Sequence, residues 1–411
     1  MKTVSAILDE QLTKPALIRR AHEALNEVRV RIIREASEVA SLRDVWEAWN
    51  WHPNADIDHY LTVLRAMPEG TNPMILALYR GNRPVAMLIG RVEDGDLSLR
   101  IGYKNLMRVR VRKMVFIYGG LLGECSAENC GIVIKSVNDC LRHGDADLAF
   151  FNSLRTNSPL HLAATRLQSV FVRDCAPMTE MHRGMKVPAK ADDVYRALSA
   201  KVRKNLGWQA RKLVKDFSGE VEVRCFREPA ELEPALHDVE QVARMTYQRG
   251  LGVGFVDAPI LRQFLSLQAQ KGWLRAYILY IADRPCAFWI GKLYKKTFHS
   301  DFMGYNPEYS KYSPGMFLVM NVIEKFADGR GSDLVGEVDF GLGDAQYKAV
   351  LGNAEWQESS VYVFAPTLAG LGLNFLRTPT ALIDQLAKRY LDKTGLLQKT
   401  KRIWRRRVAN R

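Results

Sequence analysis

An aspartate and a lysine stand four residues apart near the C-terminal end of the sequence, with a tyrosine between them. Asp344, Tyr347 and Lys348 follow the run Asp-Phe-Gly-Leu-Gly at 339–343. Residues four apart in a helix share a face, so the two charges are expected side by side. A lysine in a cleft binds a carboxylate or phosphate or stabilises an oxyanion, and a tyrosine can donate a proton. The alternative is an ordinary surface ion pair, worth about 0.3–0.5 kcal/mol, beside a tyrosine that only packs.

A second pair of candidate residues lies on a predicted strand upstream. His299 and Asp301 are two residues apart in the segment 297–305. Residues two apart in a strand point to the same side. The pair therefore offers a candidate base. The alternative is a histidine whose hydrogen bonds are purely structural.

The elements that must position these residues occur twice in the chain. Residues 78–90 recur as residues 279–291, and seven of the thirteen positions are identical. A Gly-Tyr pair at 102–103 also recurs, at 304–305. Each copy is typical of a strand, a tight polar turn, a second strand and then a third. The distance between the copies is too long for a solenoid repeat, so it indicates a duplicated domain.

Both halves show the same order of predicted elements, namely a strand, helices, three strands, a helix and a strand. This order predicts an α/β fold in which each half is a mixed twisted sheet flanked by helices. The predicted third strands lie at 97–103 and 297–305. The predicted divisions are a helical lead-in at 1–27, a first domain at 28–185, a second domain at 186–365 and a basic helical tail at 366–411.

The positive charge of the chain is concentrated at its C-terminus. The 411 residues carry a net charge of +14. Ten lysines and arginines and one acid lie in the last segment, from Lys388 to Arg411. Such a segment can contact an anionic membrane surface or the backbone of an RNA such as tRNA. A solvated helix end that binds neither is the alternative.

The sequence also bears on location and metal content. The first residues contain no apolar core of a signal peptide, and the uncharged stretch 359–376 contains proline and glycines. We therefore expect a cytoplasmic protein. Peripheral contact with the inner face of the membrane is a further possibility that the sequence leaves open. The six cysteines form no Cys-x-x-Cys pair, so neither a disulfide framework nor a metal site is expected.

The order of elements, together with residues 297–331, resembles the GNAT acyltransferase fold. In that fold a strand leads into a phosphate-binding loop that opens a helix, where backbone N–H groups hold pyrophosphate. The resemblance implies tandem GNAT-like domains with acyl-CoA as donor substrate, bound by Lys311, Tyr312, Ser313 and Gly315. GNAT enzymes usually show Arg/Gln-x-x-Gly-x-Gly/Ala here, whereas this loop has one glycine. The donor loop is therefore altered.

The first half departs further from the GNAT pattern. The basic run Arg108–Lys113 stands in the region that corresponds to the donor loop, and it contains no glycine. This departure implies a degenerate first domain that keeps the fold and has lost the donor site.

The run from Asp339 through Tyr347 and Lys348 to Gly352 is similar to a signature of the CelD-like and Fem-like acyltransferases. The resemblance implies that Asp344, Tyr347 and Lys348 contribute to catalysis. Acyl transfer also needs a base and donors to the tetrahedral oxyanion. His299 with Asp301 is the candidate base, and backbone N–H groups of the strand 297–305 are the candidate oxyanion donors.

The expected function is therefore transfer of an acyl group from a thioester, either acyl-CoA or a carrier-bound donor. The acceptor would be an amine or hydroxyl of a small or carrier-linked sugar or amino acid, in envelope or exopolysaccharide metabolism. Two alternatives stay open: a Fem-type transferase that uses aminoacyl-tRNA, and a non-catalytic scaffold at the membrane surface. The sequence does not indicate an oligomeric state.

Overall fold

The chain divides into two compact units. Among the described residues, one unit comprises 28–179 together with Ser359–Leu386. The other comprises Glu180–Glu358 together with residues 387–393. The chain therefore leaves the first unit after Thr179, returns to it at Ser359 and leaves it again after Leu386.

The computed structural model describes residues 28–102, 104–250, 254–329, 333–343 and 345–393. The predicted lead-in at 1–27 and the last part of the predicted tail, at 394–411, lie outside these residues. Asp344 also lies outside them.

The first unit begins with strands and helices in the predicted order. In chain order they are β1 (Val28–Ile33), α1 (Ala36–Val39), α2 (Arg43–Trp49), α3 (Ile57–Ala66), β2 (Asn72–Arg80), β3 (Arg83–Ile101), β4 (Lys104–Gly123), α4 (Ala127–Arg142), β5 (Leu148–Arg155) and α5 (Pro159–Arg166). Short 3-10 turns lie at Ala40–Leu42 and Pro53–Ala55. β1 to β4 pair antiparallel in sequence order, and β5 pairs parallel with β4.

The second unit repeats this order after one additional strand and two helices. Its elements are β6 (Met178–Lys186), α6 (Ala191–Arg196), α7 (Ala200–Asp216), β7 (Val221–Phe226), α8 (Leu232–Arg244), α9 (Tyr247–Gly250), α10 (Pro259–Gln270), β8 (Leu274–Ile281), β9 (Arg284–Tyr294), β10 (Thr297–Tyr305), α11 (Pro314–Ala327), β11 (Glu337–Leu342) and α12 (Gln346–Leu351). Short 3-10 turns lie at Pro229–Glu231 and Pro307–Tyr312. β7 to β10 pair antiparallel, β11 pairs parallel with β10, and β6 pairs antiparallel with β11.

Two last elements close the chain. β12 (Ala354–Phe364) begins in the second unit and ends in the first, and α13 (Leu368–Lys393) follows it. Residues of α13 up to Leu386 belong to the first unit, where Leu373 packs with Phe364 in a buried cluster. This part of the predicted tail is thus a packed helix of the first unit.

In each unit helices cover both faces of the strands, because alternate residues of each strand pack in opposite directions. In β8, Tyr277 and Leu279 join the core under α11, whereas Ile278 packs under α8 and α10. β2 shows the same alternation, with Leu76 in the core beside α4 and Ile75 in the core beside α2 and α3. The predicted α/β class, with mixed sheets flanked by helices, is confirmed.

The repeated hairpins have the same register in both units. Tyr79 pairs with Pro84 and Tyr280 pairs with Pro285, and a bulge lies beside each of these pairs. The identical residues therefore occupy equivalent positions, as a duplicated fold predicts.

The predicted echo between 102–103 and 304–305 is wrong. Ala287 pairs with Tyr305, but its repeat partner Ala86 pairs with Gly123, so the end of β10 corresponds to the end of β4. The reason is that β3 and β4 extend well past the repeat as a long hairpin. Residues 97–101 of the predicted third strand are the far end of β3, and Arg108–Lys113 lies on β4 rather than at a donor loop.

Within the residues covered by the structure, no helix is both long and apolar enough to cross a membrane.

The repeated glycines at the ends of the two hairpins give a test of this packing. A Cβ at Gly90 would lie 2.7 Å from the carbonyl oxygen of Val115, and one at Gly291 would lie 2.5 Å from a ring carbon of Phe298. We expect Gly90→Ala and Gly291→Ala each to lower the free energy of unfolding by about 1–3 kcal/mol, because a strand must move to admit the methyl group. Urea unfolding monitored by circular dichroism measures this change.

Gly372→Ala is the matched control. Gly372 lies in α13, and a Cβ there would meet no atom within 4 Å. We expect this variant to be neutral or more stable by up to about 1 kcal/mol, because alanine favours a helix. Equal effects at all three positions would contradict the packing described for the hairpins.

Candidate functional site

The centre of the second unit is the place where β10 and β11 separate. Their parallel pairing runs over three residues and ends with His299 opposite Asp339. Just beyond, the register of β10 with β9 shifts between Ser300 and Phe302. A bulge of this kind leaves one residue's backbone groups out of the ladder. The region therefore offers backbone donors beside an ionisable pair.

Asp339 is the hub of the side chains at this point. Its Oδ2 lies 3.1 Å from Nδ1 of His299, and its Oδ1 lies 2.6 Å from Nε2 of His182. The same Oδ1 also accepts a hydrogen bond from the N–H of Gly341, at 2.7 Å. A buried carboxylate with several donors is held firmly in its ionised form.

The electrostatics of the hub follow from this arrangement. Burial on its own raises the pKa of Asp339, but the hydrogen bonds from His182 and His299 outweigh it and hold that pKa far below its usual range. Burial also lowers the pKa of His182, yet Asp339 and Glu358 together raise it to about 9. At neutral pH, His182 is therefore a buried imidazolium between two carboxylates.

Two residues of β12 complete the surroundings of His182. Oε2 of Glu358 lies 3.1 Å from its Nδ1, and the ring of Trp356 stacks on the imidazole at 4.4 Å. The indole N–H of Trp356 donates to the other oxygen of Glu358, at 2.8 Å. This network fixes the side of Asp339 that is turned away from His299.

Lys348 lies close to the same hub. It is placed by α12, and its ammonium donates to the carbonyl oxygen of Leu342 at 2.7 Å. Burial lowers the pKa of Lys348, and attraction to Asp339 acts in the opposite direction. A half-buried ammonium of this kind is a focused positive charge rather than a solvated surface cation.

The other predicted catalytic residues have different surroundings. The ring of Tyr347 packs edge-on against Phe340, with centroids 5.9 Å apart. Asp301 accepts from the ammonium of Lys292 at 3.0 Å, and the carboxylate that contacts His299 is Asp339. Asp344 lies outside the residues that the structure describes. Of the predicted set, the structure therefore places His299 against Asp339 and Lys348 within electrostatic reach of the same carboxylate.

The predicted donor loop forms the start of α11. Ser313 has a left-handed backbone with φ of 51°, and Pro314 and Gly315 open the helix with no side-chain cap. Lys311 is exposed, and its ammonium lies 4.8 Å from the ring of Tyr312. The hydroxyl of Tyr312 donates to Asp216. Beside the helix start lies a cavity of about 160 Å³, lined in part by Tyr312, Ser313 and Met316.

The corresponding helix start in the first unit is closed. There the side chain of Ser126 caps α4 by accepting from the N–H of Asn129, at 3.2 Å. The cap uses a donor that would otherwise hold an anion at a helix N-terminus. The two helix starts therefore differ in their capping, and the loss of a donor site in the first unit stays a prediction.

Residues 200–349 match the family model described as an acetyltransferase (GNAT) domain. This part of the chain is similar to GNAT acyltransferase domains. The match includes β10, the start of α11 and Lys348. It supports the predicted enzyme class and does not distinguish CelD-like from Fem-like members.

Solved structures with a similar chain path include two tandem or Fem-type proteins. FemX is 9% identical, with 80% of this chain and 96% of that chain covered and a TM-score of 0.49. A tandem GNAT protein from the clavulanic acid biosynthesis pathway is 12% identical, with 83% and 99% covered and a TM-score of 0.47.

A third similar structure is the C-terminal domain of a putative lysylphosphatidylglycerol synthetase from Agrobacterium fabrum. It is 13% identical, with 82% of this chain and 94% of that chain covered and a TM-score of 0.46. With scores below 0.5, these likenesses carry no functional argument. Among curated proteins, none matches the sequence significantly.

Sequence reasoning missed three of the residues around the hub. Asp339 is the first residue of the signature-like run, but the sequence assigned it no catalytic role. Its position opposite His299 depends on the parallel pairing of β10 with β11. His182 lies 157 residues from Asp339 in the chain, on β6. The alternation of β6 is a weak local signal for a strand. No local signal links His182 to Glu358 or Asp339.

The buried charge of His182 predicts a pH-dependent stability. The folded-state pKa of about 9 exceeds the ordinary value of 6.5. The stabilisation is therefore complete below pH 6.5 and is lost as pH rises through 9. We expect His182→Gln to lower the free energy of unfolding relative to the wild type. This loss should be larger at pH 6.5 than at pH 9.5, by about 1–3 kcal/mol. Urea unfolding across this range measures the difference.

His143→Gln is the control, because His143 is an exposed residue at the end of α4. Its unfolding free energy should follow that of the wild type across the range. A constant gap between wild type and His182→Gln would show that His182 is not charged in the folded protein.

Proposed function

We propose that the second unit transfers an acyl group from a thioester to an amine or hydroxyl, at the point where β10 and β11 separate. The observation that carries the proposal is the contact of His299 with the buried carboxylate of Asp339, next to Lys348. The arrangement combines a base, a group that orients the base and a nearby positive charge.

His299 is the proposed base. When Nδ1–H donates to Asp339, the neutral ring presents Nε2 as its acceptor. That atom can take the proton of the attacking amine or hydroxyl and return it to the thiolate that leaves. Asp339 stabilises the imidazolium that forms in between, and its own ionisation is secured by His182 on the other side.

Lys348 and the bulge of β10 are the proposed stabilisers of the tetrahedral oxyanion. The carbonyl oxygen of a thioester gains negative charge when the nucleophile adds. Backbone N–H groups of β10 beyond His299, where its pairing with β11 has ended, can donate to it, and the ammonium of Lys348 lowers the energy of the same charge. A half-buried lysine is more effective here than one in water, because its field is less screened.

The start of α11 is the proposed site for the anionic part of the donor. Its first N–H groups have no side-chain cap, and the helix dipole favours a negative charge there. Gly315 adds no side chain to the helix start, while Lys311 supplies an exposed cation nearby. These features suit the phosphates of acyl-CoA, although the loop has fewer glycines than GNAT enzymes usually have.

The proposed acceptor is an amine or hydroxyl compound. The resemblance of the run from Asp339 to Gly352 to CelD-like proteins favours an amine or hydroxyl of a sugar or amino acid. Envelope or exopolysaccharide metabolism is the setting in which such acceptors would be met. The acceptor is either a small molecule or a carrier-linked one.

A second candidate function is a Fem-type transfer from aminoacyl-tRNA. The observation that favours it is the exposed face of α7, which carries cations and one aromatic ring. Trp208 is 52% exposed and the ammonium of Lys212 lies 5.1 Å from its ring. Exposed cations of the same helix are Lys201, Arg203, Lys204, Arg211 and Lys215. Basic side chains interleaved with an aromatic ring suit an RNA backbone and its bases.

The test of the proposed function measures thiol release from a panel of acyl-CoA donors in the presence of amino sugars and amino acids. We expect acceptor-dependent release in the wild type and a loss of about 10²–10⁴ in turnover in His299→Asn, because general base catalysis is removed. Transfer from aminoacyl-tRNA but not from acyl-CoA would select the second candidate. No turnover with either donor would contradict both proposed transfer reactions. The non-catalytic scaffold would then be the remaining hypothesis.

Lys348→Met tests the proposed oxyanion stabiliser separately. Methionine keeps most of the apolar stem and removes the charge. We expect turnover to fall by about 10²–10³ while stability changes little. Lys135→Met, at an exposed position of α4, is the matched control and should keep wild-type turnover. If Lys348→Met kept wild-type turnover, Lys348 would have a structural role and would not stabilise the oxyanion.

A further inference from the structure

One side of α13 exposes a continuous line of large apolar residues. Phe375 is 78% exposed, Ile383 is 50% exposed and Leu386 is 62% exposed. Their spacing of eight and three residues puts them on one face of a helix. The opposite face is anchored in the first unit, where the guanidinium of Arg377 lies 2.5 Å from the buried carboxylate of Asp174. The apolar face is therefore held outward.

A loop of the first unit extends this apolar face at its N-terminal end. Phe171 is 71% exposed, and Val170 beside it is also exposed. The side-chain amide of Asn374 donates to the carbonyl oxygens of Phe171 and Arg173, at 2.9 and 3.1 Å. These bonds fix the loop next to Phe375.

The turn of the long hairpin of β3 and β4 contacts the C-terminal part of α13. The N–H of Gly102, at the hairpin turn, donates to Oδ1 of Asp384 at 2.6 Å. Leu106 and Met107 follow the turn on β4 and are both about half exposed. We call the combined surface the apolar patch, and its members are Val170, Phe171, Phe375, Leu382, Ile383, Leu386, Leu106 and Met107.

The border of the apolar patch is positively charged. Arg100, Lys104 and Arg108 are exposed near the tip of the hairpin. Farther from the tip, Arg110 stands opposite Asp96 in the ladder, so its charge is partly balanced. The tip itself therefore presents apolar side chains surrounded by cations.

We infer that the apolar patch is a membrane-binding surface that inserts its side chains into an anionic lipid monolayer. A helix with an outward apolar face and basic neighbours lies in the plane of such an interface, held by apolar burial and by attraction to anionic headgroups. A large exposed patch is unusual on a monomer without a partner. The inference concerns the first unit and does not depend on the proposed function.

The positive charge around the apolar patch favours an anionic membrane over a second copy of the chain or an RNA. A second copy of the chain placed on the same patch would bring the cations of two hairpin tips together, which like-charge repulsion opposes. RNA would use the cations, but the centre of the patch is largely aliphatic and offers few rings on which bases stack. An anionic bilayer satisfies both the apolar centre and the basic border.

The experiment measures binding of the full chain to vesicles of phosphatidylcholine with and without phosphatidylglycerol, by flotation. We expect binding to the anionic vesicles only, weakened by salt. The double variant Phe375→Ser with Ile383→Ser should bind at least about ten-fold more weakly, because two large side chains no longer enter the lipid. Lys104→Ser with Arg108→Ser should lose affinity and much of the salt dependence.

Leu334→Ser is the matched control, because Leu334 is 69% exposed in the second unit. It should bind vesicles like the wild type. Thermal unfolding checks that the double variants remain folded, as expected for exposed positions. Unchanged vesicle binding by the apolar double variant would assign binding to another surface and overturn the inference.

Two further outcomes would also overturn it. One is a wild type that fails to bind anionic vesicles. The other is a wild-type dimer, detected by light scattering, that the apolar double variant converts to a monomer, since a second copy would then be the occupant.

Discussion

The buried carboxylate of Asp339 is the constraint on which the second unit depends. An ionised carboxylate is costly to bury unless donors surround it. Here the donors come from β10, β6 and the backbone of β11 itself, through His299, His182 and Gly341. Three strands must therefore meet in one register for the charge to be tolerated. The same requirement sets the orientation of His299, so the stability of the sheet and the position of the proposed base have one cause.

The two units share one hairpin register and differ at the helix start. Both units use the same hairpin register, with Tyr79 and Tyr280 at equivalent bulges. In the second unit, α11 starts without a side-chain cap, whereas Ser126 caps α4 in the first. The first unit has the longer hairpin, and its turn contacts α13. The uncapped helix start and the ionisable cluster thus lie in the same unit.

Positive charge is used differently in different parts of the chain. Lys348 is half-buried and close to Asp339, so its field is concentrated at one point. The cations of α7 and of the hairpin tip are exposed, and salt screens them. Only the first arrangement suits a transition state, and the second suits an extended polyanion or an anionic surface. Net charge by itself, at +14, does not separate these roles.

The sequence by itself determined the features that depend on neighbouring residues. Alternating apolar residues and a polar turn predicted both hairpins, and the helix start at Pro314 and Gly315 was visible because those residue types have strong local preferences. The Gly-Tyr echo failed because two residues carry too little information to reveal the extension of β3 and β4. Only the tertiary structure brought His182 to Asp339, since long-range strand order is set by burial across the whole sheet. For the same reason the partner of His299 was Asp339, 40 residues away, and not its neighbour Asp301.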